Sequence, residues 1–262
     1  MPLTTLGLLA VVAFVAGFID AIAGGGGLLA LPSLLLAGLD PVSALATNKL
    51  QGSFGTGSAA IAFWRKGHID FKQNIPTIIA TFVAASSGVL TINYAPKNLL
   101  VVVLPILLIL IAIYFALSPT ITNQSKAPRI SSGVFAFGVV PALGFYDGIF
   151  GPGTGSFYML ALVTLMGLGI VQATAKTKLL NFTSNIASLL VFAFSGKIFI
   201  VVGLVMGICQ FIGAQLGSRF AMQHDASFTN VRSSSASASP ARTQPHRGER
   251  TRSTPARRAL SS

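Results

Sequence analysis

Charged residues and cysteine are scarce in this sequence, and each shortage excludes a class of protein. Only 9% of the 262 residues are charged, whereas a soluble domain carries about a quarter. The single cysteine, Cys209, excludes a disulfide framework and a thiolate metal site. Only three histidines are present, and they are scattered. We therefore expect no metal centre and no cofactor.

Sequence signatures of enzymes are also missing. The chain contains no HExxH or GxSxG pattern and no Ser/His/Asp set that would indicate a hydrolase. Neither of its glycine runs is followed by the Gly-Lys-Ser/Thr of a nucleotide-binding loop. We therefore predict that the protein is not an enzyme.

The net charge of +12 is divided between a long apolar part and a short tail. Residues 1–225 hold eleven Lys or Arg and five Asp, which gives +6, and residues 226–262 hold seven Arg and one Glu, which gives the other +6. A short segment rich in Arg, Ser, Pro and Ala is typical of disorder. We therefore expect a disordered tail over residues 223–262 and no nucleic-acid partner.

Long apolar runs dominate the rest of the chain. Hydrophobic residues make up 52% of the sequence, and the mean hydropathy is +0.74. The run from Leu99 to Leu117 has no charged residue, and a bilayer is crossed by about 20 helical residues. Because backbone groups in lipid must be paired internally, these runs should be helices. The sequence predicts an all-α polytopic membrane protein embedded in a lipid bilayer.

The apolar runs fall into two halves joined by a polar link. The first half has segments at about 5–23, 28–39, 42–63, 74–94 and 99–117, and the second at 131–150, 154–168, 170–194 and 198–220. We therefore divide the chain into a first membrane repeat (1–117), a link (118–130), a second repeat (131–222) and the tail (223–262).

An aspartate followed by a glycine run occurs at matched places in the two halves. The first copy is Gly17-Phe-Ile-Asp20-Ala-Ile-Ala-Gly24-Gly-Gly-Gly27, and the second is Gly144-Phe-Tyr-Asp147-Gly-Ile-Phe-Gly151-Pro-Gly-Thr-Gly155. Further along, Ala46-Thr-Asn48-Lys49-Leu50 matches Ala175-Lys-Thr177-Lys178-Leu179. Tandem repeats with helices broken at equivalent places are typical of secondary transporters. We expect broken or re-entrant helices at both glycine runs.

Lysine and arginine suggest how the chain is oriented. Most of them can be placed in cytoplasmic links, which leaves Lys97 and Lys197 outside and satisfies the positive-inside bias. The cytoplasmic set would be Arg65, Lys66, Lys72, Lys126, Arg129 and Arg219. The two repeats are inverted if each half crosses five times and parallel if each crosses four times. The inverted arrangement is slightly favoured, and both stay open.

The intramembrane charges are the first candidates for function. Asp20 and Asp147 are either a proton-binding or gating pair or structural groups that cap the following helix or pair with a lysine. Lys49 and Lys178 either attract an anion as point charges or extend towards lipid headgroups. For the lysines we favour anion attraction.

Backbone and amide groups complete the predicted site. Gly25, Gly26 and Gly153 can offer N–H groups to an anion at the start of a half-helix, although glycine also simply permits close backbone crossing. Asn48, Thr177 and Asn181 supply polar side chains near the lysines, and hydrogen bonding between helices is an equal alternative for them. We assign these six residues, with the two lysines, to substrate binding.

At these residues the chain resembles the sulfite exporter TauE/SafE family of membrane permeases. The resemblance rests on Gly17-Phe-Ile-Asp20 with its glycine run, on Ala46-Thr-Asn48-Lys49-Leu-Gln51-Gly52 and on Lys178-Leu-Leu-Asn181-Phe-Thr-Ser-Asn185. It covers residues 5 to about 222. It implies a permease that moves sulfur-containing and other organic anions across the cytoplasmic (inner) membrane of bacteria.

The resemblance ends before the tail. Family members continue with a further hydrophobic helix after Gly213-Ala214-x-x-Gly217-Ser-Arg219, and the repeat places that helix near residue 228, where this sequence is polar. We interpret this as a frameshifted or truncated reading, which would leave an apolar groove uncovered.

The leading functional interpretation is a permease for small anions, coupled to protons through Asp20 and Asp147. The alternative from another class is a non-transporting membrane scaffold or assembly component. A cation channel is disfavoured by the excess of lysine over aspartate in the membrane segments. A homo-oligomer is compatible with either interpretation.

Overall fold

The computed structural model describes residues 1–117 and 127–237, in which the regular elements are helices and no strand occurs. The helices are α1 (Leu3–Ala23), α2 (Gly27–Leu36), α3 (Pro41–Arg65), α4 (Phe71–Asn93), α5 (Lys97–Leu117), α6 (Ser132–Val134), a π-helical turn (Phe135–Val139), α7 (Val140–Ile149), α8 (Thr154–Thr164), α9 (Ile170–Ala193) and α10 (Ile200–Ser237). The predicted all-α class is confirmed. Eight of the nine predicted apolar segments each correspond to one helix, and segment 131–150 corresponds to α6, the π-helical turn and α7 together.

Within residues 1–117 and 127–237, four stretches are long and apolar enough to cross a membrane. They are Leu3–Ala23, Phe71–Asn93, Ser132–Ile149 and Ile200–Gln223. Their outward-facing side chains are large and hydrophobic, for example Leu8, Ile79 and Ile208, as expected for helices that contact lipid. The protein is therefore a multi-pass membrane protein.

Helices α3 and α9 form the interior, and they are rich in buried small and polar residues. Most of their residues are buried, and many of these are Gly, Ala, Ser, Thr or Asn. Gly52 and Gly57 of α3 lie against Asn185 and Phe182 of α9, so small side chains let the two helices approach closely. The polar groups of the site are therefore carried by helices shielded from lipid.

The two halves are intertwined through glycine contacts. A Cβ placed on Gly217 of α10 would contact the carbonyl oxygen of Phe18 in α1, and one placed on Gly88 of α4 would contact the carbonyl oxygen of Phe145 in α7. The first helix of each half thus packs on a late helix of the other half. The two contacts join equivalent positions of the repeat predicted from sequence. The duplication itself stays a prediction.

Both predicted helix breaks are confirmed at the glycine runs. Helix α1 ends at Ala23 and α2 begins at Gly27, with positive φ at Gly24 and Gly25. Helix α7 ends at Ile149 and α8 begins at Thr154, with positive φ at Gly151 and Gly153. The short helices α2 and α8 therefore start inside the protein, next to the charged residues that precede them.

The tail was predicted to be disordered from residue 223. The contacts divide the chain into Met1–Asp225 and Ala226–Ser262, and residues 226–237 of the second unit are helical. No glycine or proline occurs between Ser218 and Pro240, so nothing in that stretch terminates a helix. Residues 238–262 and 118–126 lie outside the described part. Disorder and frameshift stay predictions.

Candidate functional site

Two buried ion pairs lie at the helix breaks, and each joins one half of the chain to the other. Lys49 Nζ of α3 is 2.9 Å from Asp147 Oδ1 of α7. Lys178 Nζ of α9 is 2.9 Å from Asp20 Oδ2 of α1. Both lysine side chains are at most 1% exposed. The four charged residues singled out from the sequence therefore form two pairs that cross between the halves.

Asp20 holds the first helix break together. Its Oδ1 accepts hydrogen bonds of 3.1 Å from the backbone N–H groups of Gly25 and Gly26. Lys178 Nζ donates to Asp20 Oδ2 and also to the backbone carbonyl oxygen of Asp20. In this conformation the glycine amides predicted to hold a substrate anion therefore hold the protein's own carboxylate.

Asp147 is held differently at the second break. Its Oδ2 accepts a hydrogen bond from the Ser184 hydroxyl of α9, and its Oδ1 pairs with Lys49. Apart from this ion pair, Lys49 Nζ has no well-directed hydrogen bond within the described residues. A buried ammonium group has three donors. The Lys49 side of the site therefore has unused donor capacity.

A small cavity lies beside the two breaks and is lined by residues of both. Its volume is about 30 Å³, which is room for about two water molecules. It is lined by Asp20, Gly25, Gly27, Asn48, Lys49, Gly52, Thr56, Asp147, Gly151, Gly153, Thr154, Gly155, Asn181, Asn185 and Gln210. The lining is almost wholly backbone, amide, hydroxyl and charge, so the cavity suits a small polar ligand.

Most of the predicted binding residues meet at this cavity. Asn48, Lys49, Gly25, Gly153 and Asn181 line it. Of the remaining predicted residues, Gly26 binds Asp20, Lys178 reaches the site through its ion pair, and Thr177 is buried without lining the cavity. Whether any of them binds substrate stays a prediction.

Gln210 lines the cavity and has no counterpart among the predicted residues. It lies on α10, is 3% exposed, and its Oε1 has no hydrogen-bond partner in the described part of the chain. Its backbone also packs against Gly17, three residues before Asp20. An amide in the apolar run of α10 was the available signal, since such groups in membrane helices usually face the interior.

The arrangement balances its own charge. Moving a charged side chain out of water carries an effective penalty of several kcal/mol, which pairing offsets. With both pairs formed, the two lysines and two aspartates sum to zero. A bound anion would have to displace a carboxylate from a lysine or arrive together with a proton. The site is thus suited to exchanging one anionic partner for another.

Comparison with known proteins agrees with this architecture. The profile of the sulfite exporter TauE/SafE family matches residues 9–231. Over 221 residues, 84% of this chain and 85% of the relative, the sequence is 49% identical to the "Probable membrane transporter protein ORF9" of a Sinorhizobium species. It is 48% identical to the "Probable membrane transporter protein YfcA" of Escherichia coli K12 over 83% of this chain and 81% of that protein.

A more distant relative has the same description. The "Probable membrane transporter protein YdhB" of Bacillus subtilis is 26% identical over 78% of this chain and 84% of its own length. No solved structure gives a significant match. The matched region of the family profile includes both helix breaks and all four residues of the two ion pairs. The chain therefore belongs to the sulfite exporter TauE/SafE family of membrane transporters.

Proposed function

We propose that this protein carries small anions, sulfur-containing or organic anions such as sulfite and sulfonates, across the bacterial cytoplasmic membrane. The observation that supports this most is the pair of lysine–aspartate bridges around a polar cavity at two helix breaks. Buried lysines attract anions, and glycine-rich helix starts supply backbone donors. A scaffold has no need of either feature.

The charge balance of the site supports a coupling of transport to protons. In this structure each lysine is neutralised by an aspartate. Binding of a monovalent anion at Lys49 would leave one uncompensated negative charge in a region of low dielectric constant. Protonation of Asp147 removes that charge and frees Lys49 for the anion. We therefore propose that one proton accompanies each monovalent anion.

Flux in proteoliposomes tests the function itself. We expect saturable uptake of labelled sulfite or methanesulfonate that unlabelled anion competes away, and no uptake of labelled choline. Lipid vesicles without protein provide the baseline. Uptake no faster than this baseline for every anion tested would contradict the transporter proposal and favour the scaffold, whose oligomeric state would then need to be measured.

A proton gradient tests the coupling. We expect wild-type anion uptake to be faster when the outside is more acidic than the inside, because an inward proton gradient drives a coupled anion. Asp147→Asn should lose this stimulation while keeping exchange of anion for anion, since asparagine cannot bind and release the proton. The measurement is the ratio of initial rates with and without the gradient.

Asp70→Asn is the matched control for Asp147→Asn. Asp70 caps the start of α4 and is exposed, and asparagine is an equally good cap. This variant should keep the wild-type response to the gradient. If Asp147→Asn keeps it as well, and Asp20→Asn does too, the aspartates are structural and the coupling proposal is wrong.

A further inference from the structure

A second and much larger cavity lies away from the ion pairs. Its volume is about 390 Å³, within the range typical of small-molecule sites. It is open to the surface between the start of α4, the π-helical turn, the end of α8 and the first half of α9. Its lining is Gln73, Asn74, Pro76, Thr77, Ser132, Gly133, Phe135, Ala136, Phe137, Leu162, Met166, Lys176 and Leu180.

Lys176 is the charged residue of this lining. It is half-buried and forms no ion pair within the described residues, unlike Lys49 and Lys178, which are both paired. Successive residues of an α-helix are about 100° apart, so Lys176 and Lys178 point to nearly opposite faces of α9. Lys176 thus gives the cavity a positive charge that the central site does not use.

The apolar part of the lining comes from the π-helical turn, α8 and the residues that follow α8. Phe135 and Leu162 are buried there, and Met166 lies beside them. Pro141 lacks the N–H that would bond the carbonyl of Phe137 in an α-helix, which accounts for the widening into a π-helix at Phe135–Val139. Such turns occur frequently at functional sites.

The cavity and the central site lie along the same face of α9. Lys176, Leu180 and Ser184 are four residues apart and share that face. Leu180 lines the cavity, while Ser184 donates its hydroxyl to Asp147. From Lys176 to Ser184 the rise along the helix is about 12 Å. A layer of buried apolar side chains around Leu180 separates the two sites.

The mouth of the cavity belongs to the face assigned to the cytoplasm. Gln73 follows Lys72 in the first turn of α4. The backbone N–H of Arg129 donates to the carbonyl oxygen of Leu165, next to Met166. Both cations belong to the cytoplasmic set of the positive-inside assignment. Their charge would raise the local concentration of anions at the entrance.

We propose that this cavity is a vestibule that binds an organic anion before the anion reaches the central site. The acidic group of the anion pairs with Lys176, and its apolar group contacts Phe135, Leu162 and Met166. The identity of the occupant as the transported anion rests on the proposed function. The binding itself is independent of flux and is measured on the full chain in detergent.

Protection of an engineered cysteine tests the vestibule. Ser132→Cys places a thiol in the lining, and Cys209→Ser removes the native one. We expect benzenesulfonate to slow modification by neutral N-ethylmaleimide, methanesulfonate to require a higher concentration, and phenyltrimethylammonium to give no protection. Lys176→Gln should raise the half-protecting benzenesulfonate concentration about 10- to 100-fold, as for loss of a hydrogen bond to a charged group.

Lys197→Gln is the matched control, because it removes one positive charge beyond the opposite end of α9. It should leave protection unchanged. The rate of modification without ligand, equal in both lysine variants, shows that the cavity is intact. The proposal would be overturned if phenyltrimethylammonium protected the cysteine as well as benzenesulfonate does, or if benzenesulfonate gave no protection. It would also be overturned if Lys197→Gln weakened protection as much as Lys176→Gln does.

Further outcomes identify the occupant of the cavity and distinguish failure of the vestibule proposal from failure of the transport proposal. Protection by phosphatidylglycerol nanodiscs but not by benzenesulfonate would make the cavity a lipid-headgroup site and overturn the vestibule. Anion flux without protection contradicts the vestibule alone. Protection without flux of any anion leaves the binding site in place and contradicts the proposed function.

Discussion

Replacing Lys49 alone with glutamine is expected to destabilise the protein by about 3–5 kcal/mol, the usual consequence of removing one partner of a buried ion pair. The change leaves the Asp147 carboxylate buried at 4% exposure without its counter-charge. The Ser184 hydroxyl alone offsets little of the lost attraction. The protein is heated in detergent and then run on a size-exclusion column. The temperature at which half of it is lost from its elution peak should fall by on the order of 10 °C.

Two double variants of equal net charge show whether the pairing across the halves is real. Lys49→Gln with Asp147→Asn removes both members of one pair and should recover most of the lost stability, because neutral replacements of a buried pair are often tolerated. Lys49→Gln with Asp20→Asn leaves Asp147 and Lys178 both unpaired and should be the least stable. Equal stability of the two doubles would contradict the crossed pairing.

The same variants separate the structural role of the charges from their role in transport. The Lys49→Gln, Asp147→Asn double should be folded yet fail to accumulate anion, since it lacks both the attracting ammonium and the titrating carboxylate. Normal flux through this double would show that the pair serves only to join the halves. Lys66→Gln with Asp70→Asn, which removes one exposed charge of each sign outside the site, is the control, because it too leaves the net charge unchanged.

The helices and their breaks could be predicted from the sequence because local rules determine them. Apolar runs of bilayer length are helical, and the glycine runs end helices wherever φ is positive. The predicted short segments 28–39 and 154–168 correspond to Gly27–Leu36 and Thr154–Thr164. The interior position of α3 and α9 could also have been inferred, since their apolar character is interrupted by buried Ser, Thr and Asn.

The pairing of the charges could not be predicted. The sequence presents two aspartates and two lysines in equivalent contexts, so Asp20 could pair with Lys49 of its own half or with Lys178 of the other. The choice depends on how the helices cross, which is a tertiary property. The hydrogen bonds from Gly25 and Gly26 to Asp20 follow from the same backbone path. The local sequence pattern does not determine that path.

Gln210 and Lys176 are two side chains whose positions the sequence interpretation did not identify. Gln210 was missed because one amide in an apolar helix carries no spacing signal and its neighbours at the site are distant in sequence. Lys176 stands only two residues before Lys178 and was not among the predicted site residues. The helical period already separates them by about 200°, and the structure places Lys176 at the other cavity.

Gly24→Ala is expected to have the second large effect, loss of both stability and flux. Gly24 has φ +74 and ψ +159, a region essentially restricted to glycine, in which another residue costs about 1–3 kcal/mol. A Cβ there would also lie 2.5 Å from the carbonyl carbon of Gly155 and 2.6 Å from the backbone nitrogen of Ser156. Backbone atoms cannot move aside without shifting the second helix break.

Gly67→Ala distinguishes the cost of positive φ from the cost of the steric collision. Gly67 has a nearly equal φ of +78, and a Cβ there would meet nothing within 4 Å, so it reports the cost of positive φ without a collision. We expect Gly67→Ala to lower stability by about 1–2 kcal/mol and to leave anion flux intact. Gly24→Ala should be clearly less stable and should abolish flux, because the shift separates Asp20 from Gly25 and Gly26. If the two variants behave alike, the close contact between the glycine runs does not determine the geometry of the site.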